Sequence, residues 1–231
     1  MRVHVSFTPA EQPEASTAIV VDVLRATSTM CQALASGYER VLCCAEIDDA
    51  RALAETEGPA KLAGERRLEH IEGFDFGNSP RELEGEAAAP TLILTTTNGT
   101  RLLVAAAERY ERVYVGSLLN LDAVAAAARE SGEEVAVLCA GVLTELALDD
   151  AYCAGRIAKA IGGGATDSAQ AAIRLADSFP NALEGLGASR SAWNLRRNGM
   201  EADVDVCARE SVLDVVPRYI RRVGPAAEVG L

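Results

Sequence analysis

Three arginines each follow a short apolar run in the company of hydroxyls or a carboxylate. Arg25 lies in Asp22-Val23-Leu24-Arg25-Ala26-Thr27-Ser28-Thr29, Arg66 in Gly64-Glu65-Arg66, and Arg101 in Thr95-Thr96-Thr97-Asn98-Gly99-Thr100-Arg101. A guanidinium forks onto two oxygens of a phosphate or carboxylate, and the unpaired amides at a helix start favour the same anions. Arg25, Thr27, Arg66, Asn98, Gly99, Thr100 and Arg101 are therefore candidate binders of an oxyanion. Asp22, Glu65 and Asp75 offer hard oxygen ligands suited to magnesium. Further on, Cys139 closes an apolar run, and Asp149-Asp150 opens a helical one. Asp150 and Asp22 are candidate acid–base groups and Cys139 a candidate nucleophile, because α/β proteins place chemistry at strand ends. Plainer readings stand beside these. Thr27 or Ser28 could cap a helix, Asn98-Gly99 could be a simple turn, and Asn78 or Ser79 could cap a short helix that has Pro80 at its first position.

The elements that must position these groups alternate short β-branched runs with Ala-rich stretches, the pattern of a three-layer α/β/α fold with a mainly parallel or mixed sheet. Strands are expected at 3–7, 18–23, 40–44, 61–63, 91–95, 112–115 and 135–139, with a weaker one at 204–207. Helices are expected at 28–36, 48–57, 99–109, 121–130, 149–161, 167–178 and 189–197. The stretch 64–80 reads as a long functional loop. The whole of 1–231 reads as one domain, or as two interlocked α/β subdomains with a break near the glycines of 162–166.

Composition narrows the functions. Of 231 residues, 22 are Lys or Arg and 34 are Asp or Glu, a net charge of −12 that repels nucleic acid. A small anion is still admitted where arginines and a cation reverse the local sign. No run reaches the roughly 18 apolar residues of a membrane span, and no secretory leader is visible, so a cytoplasmic protein is expected. The six cysteines show no finger spacing and read as buried thiols, and two histidines far apart in sequence argue against zinc. Neither a Walker loop nor a three-glycine dinucleotide turn is present.

Taken in order, the DVLRAT block at 22–27, the GER at 64–66 leading to GFD-x-GNSP at 73–80, the TTTNGT at 95–100, the CAG at 139–141 and the acidic pair with CAG at 149–155 resemble the 2-phosphosulfolactate phosphatase family, often called ComB. The resemblance runs from about Ala18 to Ile157, with Gly199, Asp203 and Cys207 fitting the tail more loosely. Two departures are visible: the acidic pair is Asp149-Asp150 where many relatives have Glu-Asp, and 142–146 lacks a glycine usual after the CAG strand. The resemblance implies a ComB-like fold and a magnesium-dependent phosphomonoesterase converting 2-phospho-3-sulfolactate to 3-sulfolactate, a step of coenzyme M synthesis. Attack by water and a covalent route through a carboxylate or Cys139 both stay open. The rival functions are a Rossmann-like oxidoreductase and a non-catalytic sensor of phosphorylated acids, and a homodimer is expected on general grounds.

Two expectations are geometric. Asp22, Arg25, Glu65, Arg66, Asp75, Asn98, Arg101 and Asp150 should line a single cleft, with the amides after Thr27 and Asn98 pointing into it. Arg25 has little packing reason to follow a buried strand, so Arg25→Ala should cost turnover and not stability.

Overall fold

The computed structural model describes every residue of the chain except Glu133 and Thr144. Strands β1 (Arg2–Ser6), β2 (Thr17–Val21), β3 (Arg40–Cys44), β4 (Ala60–Arg66), β5 (Glu69–His70), β6 (Thr91–Thr95), β7 (Arg112–Gly116), β8 (Val135–Cys139), β9 (Gly164–Ala165), β10 (Arg218–Val223) and β11 (Ala226–Gly230) form one sheet, in the order β5-β4-β6-β3-β11-β10-β7-β2-β8-β1-β9. Helices α1 (Ala26–Ala35), α2 (Ile47–Thr56), α3 (Gly99–Arg109), α4 (Leu121–Glu130), α5 (Leu148–Ile161) and α6 (Asp167–Asp177) cover its faces. The chain then adds α7 (Ala182–Gly187), α8 (Arg190–Arg197) and α9 (Glu201–Cys207).

Period-two alternation within uniformly apolar strands explains the three layers. On β2, Ala18 and Val20 pack with α1 and α3, while Ile19 and Val21 pack with α4, α5 and α6. On β3, Val41 and Cys43 face α1 and α3, whereas Leu42 and Cys44 face α2. Strands buried on both faces read as continuous Val, Ile and Leu runs, as these do. Each fully buried Val, Leu or Ile contributes roughly 1.5–3 kcal/mol relative to exposure.

The sheet has two parallel halves, β4-β6-β3 and β7-β2-β8-β1, with the antiparallel β10–β11 hairpin between them. Because β3 opposes β11, β11 opposes β10 and β10 opposes β7, the halves run in opposite directions. The common carboxyl edge expected from sequence is thus replaced by two edges. Twist of roughly 20–25° per strand accumulates between them. The two edges meet at α3, which follows β6 yet packs on β2 and β7 as well as on β3.

Several boundaries differ from expectation. Residues 204–207 belong to helix α9: Val204 and Val206 alternate as in a strand, but Val204 and Cys207 share a buried helical face. Residues 64–66 extend β4, so Glu65 and Arg66 stand on a strand end and not in a loop. The glycine stretch expected as a break contains β9, paired with β1. Where α5 crosses α6, a Cβ on Gly155 would lie 2.1 Å from the Ala172 carbonyl oxygen, so glycine permits the close approach.

Candidate functional site

Asp22 is where the end of β2 meets the start of α3. It follows β2, is 8% exposed, and its backbone is closed into a turn by Thr27: the Asp22 amide donates to Thr27 Oγ1 at 3.1 Å and the Thr27 amide to the Asp22 carbonyl at 2.9 Å. The Ala26 amide, at the start of α1, donates to Asp22 Oδ1 at 3.4 Å. The Gly99 amide, at the start of α3, donates to the same carboxylate. A Cβ on Gly99 would lie 2.6 Å from Asp22 Oδ2 and 2.7 Å from the Ala26 Cβ, so only glycine lets α3 come this close. Helix N-termini attract anions. Here the anion is the protein's own carboxylate, so the amide after Asn98, expected to point at a ligand, serves Asp22. Thr27 and Thr100, expected on the substrate, are fully buried; Thr100 exchanges hydrogen bonds with Thr96, the shorter at 3.0 Å.

Two further carboxylates lie behind Asp22. Asp150 accepts from the Val23 amide at Oδ1 and the Gly141 amide at Oδ2, both at 2.9 Å, and so laces the ends of β2 and β8 together. Asp149 accepts from Ser191 Oγ at 3.1 Å and also from Ser189. Burial, then Asp149 and Glu65, push Asp22 up to about 7. Burial pushes Asp149 up to about 6. Burial with Asp149 and Asp22 beside it pushes Asp150 well above the usual carboxylate range. No ion pair among the described residues neutralises any of the three. Cys139 is fully buried in the apolar layer under α5, and burial, with Asp150 next, pushes its thiol well above 9.0. The thiolate is the nucleophilic form. Burial therefore disfavours the form in which Cys139 would act as the expected nucleophile.

Glu65 has a different task from the one expected. Its Oε1 accepts from the Thr97 amide and its Oε2 from the Leu68 amide, both at 2.8 Å, and Thr97 Oγ1 adds a third bond at 3.2 Å. It ties the turn after β4 to the turn after β6. Asp75 is exposed and held by Lys61 Nζ at 2.7 Å and the Leu62 amide at 2.9 Å, near the start of β4, so it stands apart from the other carboxylates. Arg66 is steadied by Thr95 Oγ1 at 2.7 Å and the Ala45 and Glu65 carbonyls. Arg101 is half exposed and pairs with Glu46 at 2.8 Å. Arg66, Asn98 and Arg101 line one cleft of about 610 Å³, together with Arg67 and Thr97.

Arg25 is in none of this. Its guanidinium is 3% exposed and is paired with Asp203 of α9, whose other oxygen accepts from Ser79 Oγ at 2.7 Å. It lines a second cleft of about 220 Å³ with Ser79, Arg81, Met200 and Asp203. The single cleft expected from sequence is therefore divided: Arg66, Asn98 and Arg101 on one side, Arg25 on another, with Asp22, Glu65 and Asp150 buried between strand ends. The sequence reading missed Arg67, Thr97 and Asp203 as lining residues. The Gly199 to Cys207 segment of the tail was the available signal for Asp203.

Among the described residues no three His, Cys, Asp or Glu side chains gather as a metal cage, so the set Asp22, Glu65 and Asp75 does not fit. Magnesium commonly takes only one or two carboxylates, with waters and phosphate oxygens completing its shell. Asp22 with Asp149 meets that smaller requirement: both are buried, neither has a cationic partner among the described residues, and Asp149 pushes Asp22 up as a neighbouring anion does.

The family described as 2-phosphosulpholactate phosphatase matches residues 4–222. A probable 2-phosphosulfolactate phosphatase of Thermus thermophilus is 38% identical over 233 residues, covering 98% of each chain. The 2-phosphosulfolactate phosphatase of Methanothermobacter thermautotrophicus is 38% identical over 220 residues, covering 95% of this chain and 92% of that protein. A probable 2-phosphosulfolactate phosphatase of Deinococcus radiodurans is 37% identical over 227 residues, covering 95% of this chain and 94% of that one.

Proposed function

Because the chain belongs to the 2-phosphosulpholactate phosphatase family, we propose that it is a magnesium-dependent phosphomonoesterase acting on 2-phospho-3-sulfolactate or a similar small 2-phospho-acid, the step that serves coenzyme M synthesis. The observation that carries the reading is the adjacency of three arginines to a buried carboxylate centre: Arg66, Arg67 and Arg101 line a cleft whose wall includes Asn98, and the next residue, Gly99, touches Asp22. Phosphate ester cleavage needs charge neutralisation and an aligned nucleophile, which such a site supplies by position.

In this reading the substrate enters along the arginine cleft with its acid groups on the guanidinium forks, and its phosphate faces Asp22 across Thr97 and Asn98. Asp22 and Asp149 would hold the metal, which when bound supplies positive charge against the phosphate oxygens. With the metal held, both carboxylates would be ionised; Asp149, whose partners include serine hydroxyls, is placed to take the proton of an attacking water on its second oxygen, and the leaving oxygen takes its proton from solvent. Asp150 and Glu65 position: one fixes the ends of β2 and β8, the other the Thr97 turn. The protein works where it is made, among the small anions of the cytoplasm.

The test is phosphate release from a panel of 2-phospho-acids in chelated buffer and after adding magnesium. Release that appears only with magnesium, and is lost in Asp149→Asn and Asp22→Asn, is expected. Equal release in chelated buffer removes the metal, and no release from any ester removes the reaction.

A further inference from the structure

The arginine cleft is larger and more apolar than a three-carbon acid with several charges requires. Its 610 Å³ falls in the range that holds drug-sized ligands, lined by hydrophobic residues with a few placed polar groups. Arg66, Arg67 and Arg101 stand at one end. From there the wall runs along one face of α3 and over the end of β8, through Leu102, Ala105, Ala106, Leu138, Ala140 and Leu143. Ala105 is exposed and Leu143 is 70% exposed, so this wall faces open space. The far end is closed by the segment after β1, where Arg109 donates to Gln12 Oε1 at 2.7 Å and to its carbonyl at 2.9 Å, and Tyr110 Oη donates to the Pro13 carbonyl at 3.1 Å. Glu11, the one carboxylate of the lining, is turned onto the Phe7 amide and Thr8 Oγ1 at 3.3 Å. The cleft thus has three arginines at one end, Arg109 held by Gln12 at the other, and an apolar wall between them.

We propose that the cleft selects phosphorylated 2-hydroxy acids that carry an apolar arm, with the acid groups at Arg66, Arg67 and Arg101 and the arm laid against α3. This rests on the phosphatase reading above and extends its substrate class. A multiply charged three-carbon ester would fill only the arginine end. An alkyl arm of about four to six carbons would displace water from the Leu102–Ala105–Leu143 wall and gain affinity by about fourfold at most for each methylene buried.

The experiment uses the full chain with magnesium and a series of 2-phosphonooxy acids from propanoate through hexanoate to octanoate. The expected result is a KM that falls by at least tenfold from propanoate to hexanoate with little change in kcat. Ala105→Trp, which fills the wall at an exposed position, should restore the propanoate-like KM for hexanoate while leaving propanoate itself unchanged. Leu143→Ser, a second exposed position, should move KM the same way and to a smaller extent, and thermal melts of both variants confirm folding. A KM that is flat or rises with arm length overturns the inference, as does an equal effect of both variants on every ester. If no ester is hydrolysed, the phosphatase reading fails by itself, and titration calorimetry with the corresponding 2-phosphonomethyl acids decides the arm through the same length dependence. A chain mass that doubles in solution and halves in Ala105→Trp would assign the wall to a second copy and also overturn it.

Discussion

Arg25→Ala separates a structural arginine from a substrate-binding one. The Arg25 and Asp203 side chains are each 3% exposed, and among the described residues Asp203 retains Ser79 Oγ at 2.7 Å and the distant Arg81 at 4.0 Å once Arg25 is removed. Removing one partner of a buried pair leaves an uncompensated charge and costs about 3–5 kcal/mol. At roughly 2–4 °C per kcal/mol for a chain of this size, the melting temperature should fall by about 6–20 °C. The double variant Arg25→Met with Asp203→Leu removes both charges, and should recover stability to within about 1–2 kcal/mol of the parent. Denaturant unfolding of the three proteins measures this, and turnover of the folded double variant then reports on Arg25 without interference from misfolding. A loss below about 1 kcal/mol in Arg25→Ala, or a double variant no more stable than the single, would refute the argument that Arg25 ties α1 to α9. The reading that Arg25 lacks a packing reason is corrected by the same pair: its partner lies far along the chain, on a helix the sequence pattern presented as a strand.

Three other outcomes are expected. Magnesium should raise the melting temperature of the chelated protein more at pH 8 than at pH 5, because protons occupy Asp22 and Asp149 below about 7 and about 6 and are lost as pH rises through those values; Asp149→Asn should remove most of the pH 8 increment. Gly99→Ala should cut turnover by more than tenfold, since the new Cβ displaces Asp22 Oδ2, whereas Gly155→Ala should mainly destabilise, by about 1–3 kcal/mol, because it drives α5 from α6. Cys139→Ala should retain most turnover at a stability cost of about 1 kcal/mol, and loss of activity in a folded Cys139→Ala protein would return the thiol to the mechanism.

Much of the layering was legible because it rests on local sequence. Runs such as Thr91–Thr95 and Val135–Cys139 are buried throughout, and the Ala-rich stretches after them have one apolar face. What escaped was the β10–β11 hairpin. Arg218-Tyr219-Ile220-Arg221-Arg222-Val223 carries three arginines and is largely exposed, so its apolar pattern is weak. Yet this hairpin reverses the direction of half the sheet. No local pattern encodes that reversal, because it depends on which strands a distant segment pairs with.

The same distinction explains the site. Residue type and strand-end position were enough to gather Asp22, Glu65, Arg66, Asn98, Arg101 and Asp150 around two meeting edges. They were not enough to divide them into those that face a ligand and those that hold the edges together. That division is decided by backbone amides, which sequence does not display. Asp150 is consumed by the Val23 and Gly141 amides and Glu65 by those of Thr97 and Leu68, whereas Asp149 meets one amide, its own, and two serine hydroxyls that can turn away. A carboxylate bound by two amides, as Asp22 is too, keeps one orientation whatever proton or ligand it carries. One held by hydroxyls can turn as either changes. In a centre where Asp22 already neutralises two helix ends, the mobile charge falls to Asp149, and the neighbour that looked equivalent in the sequence serves as the clamp.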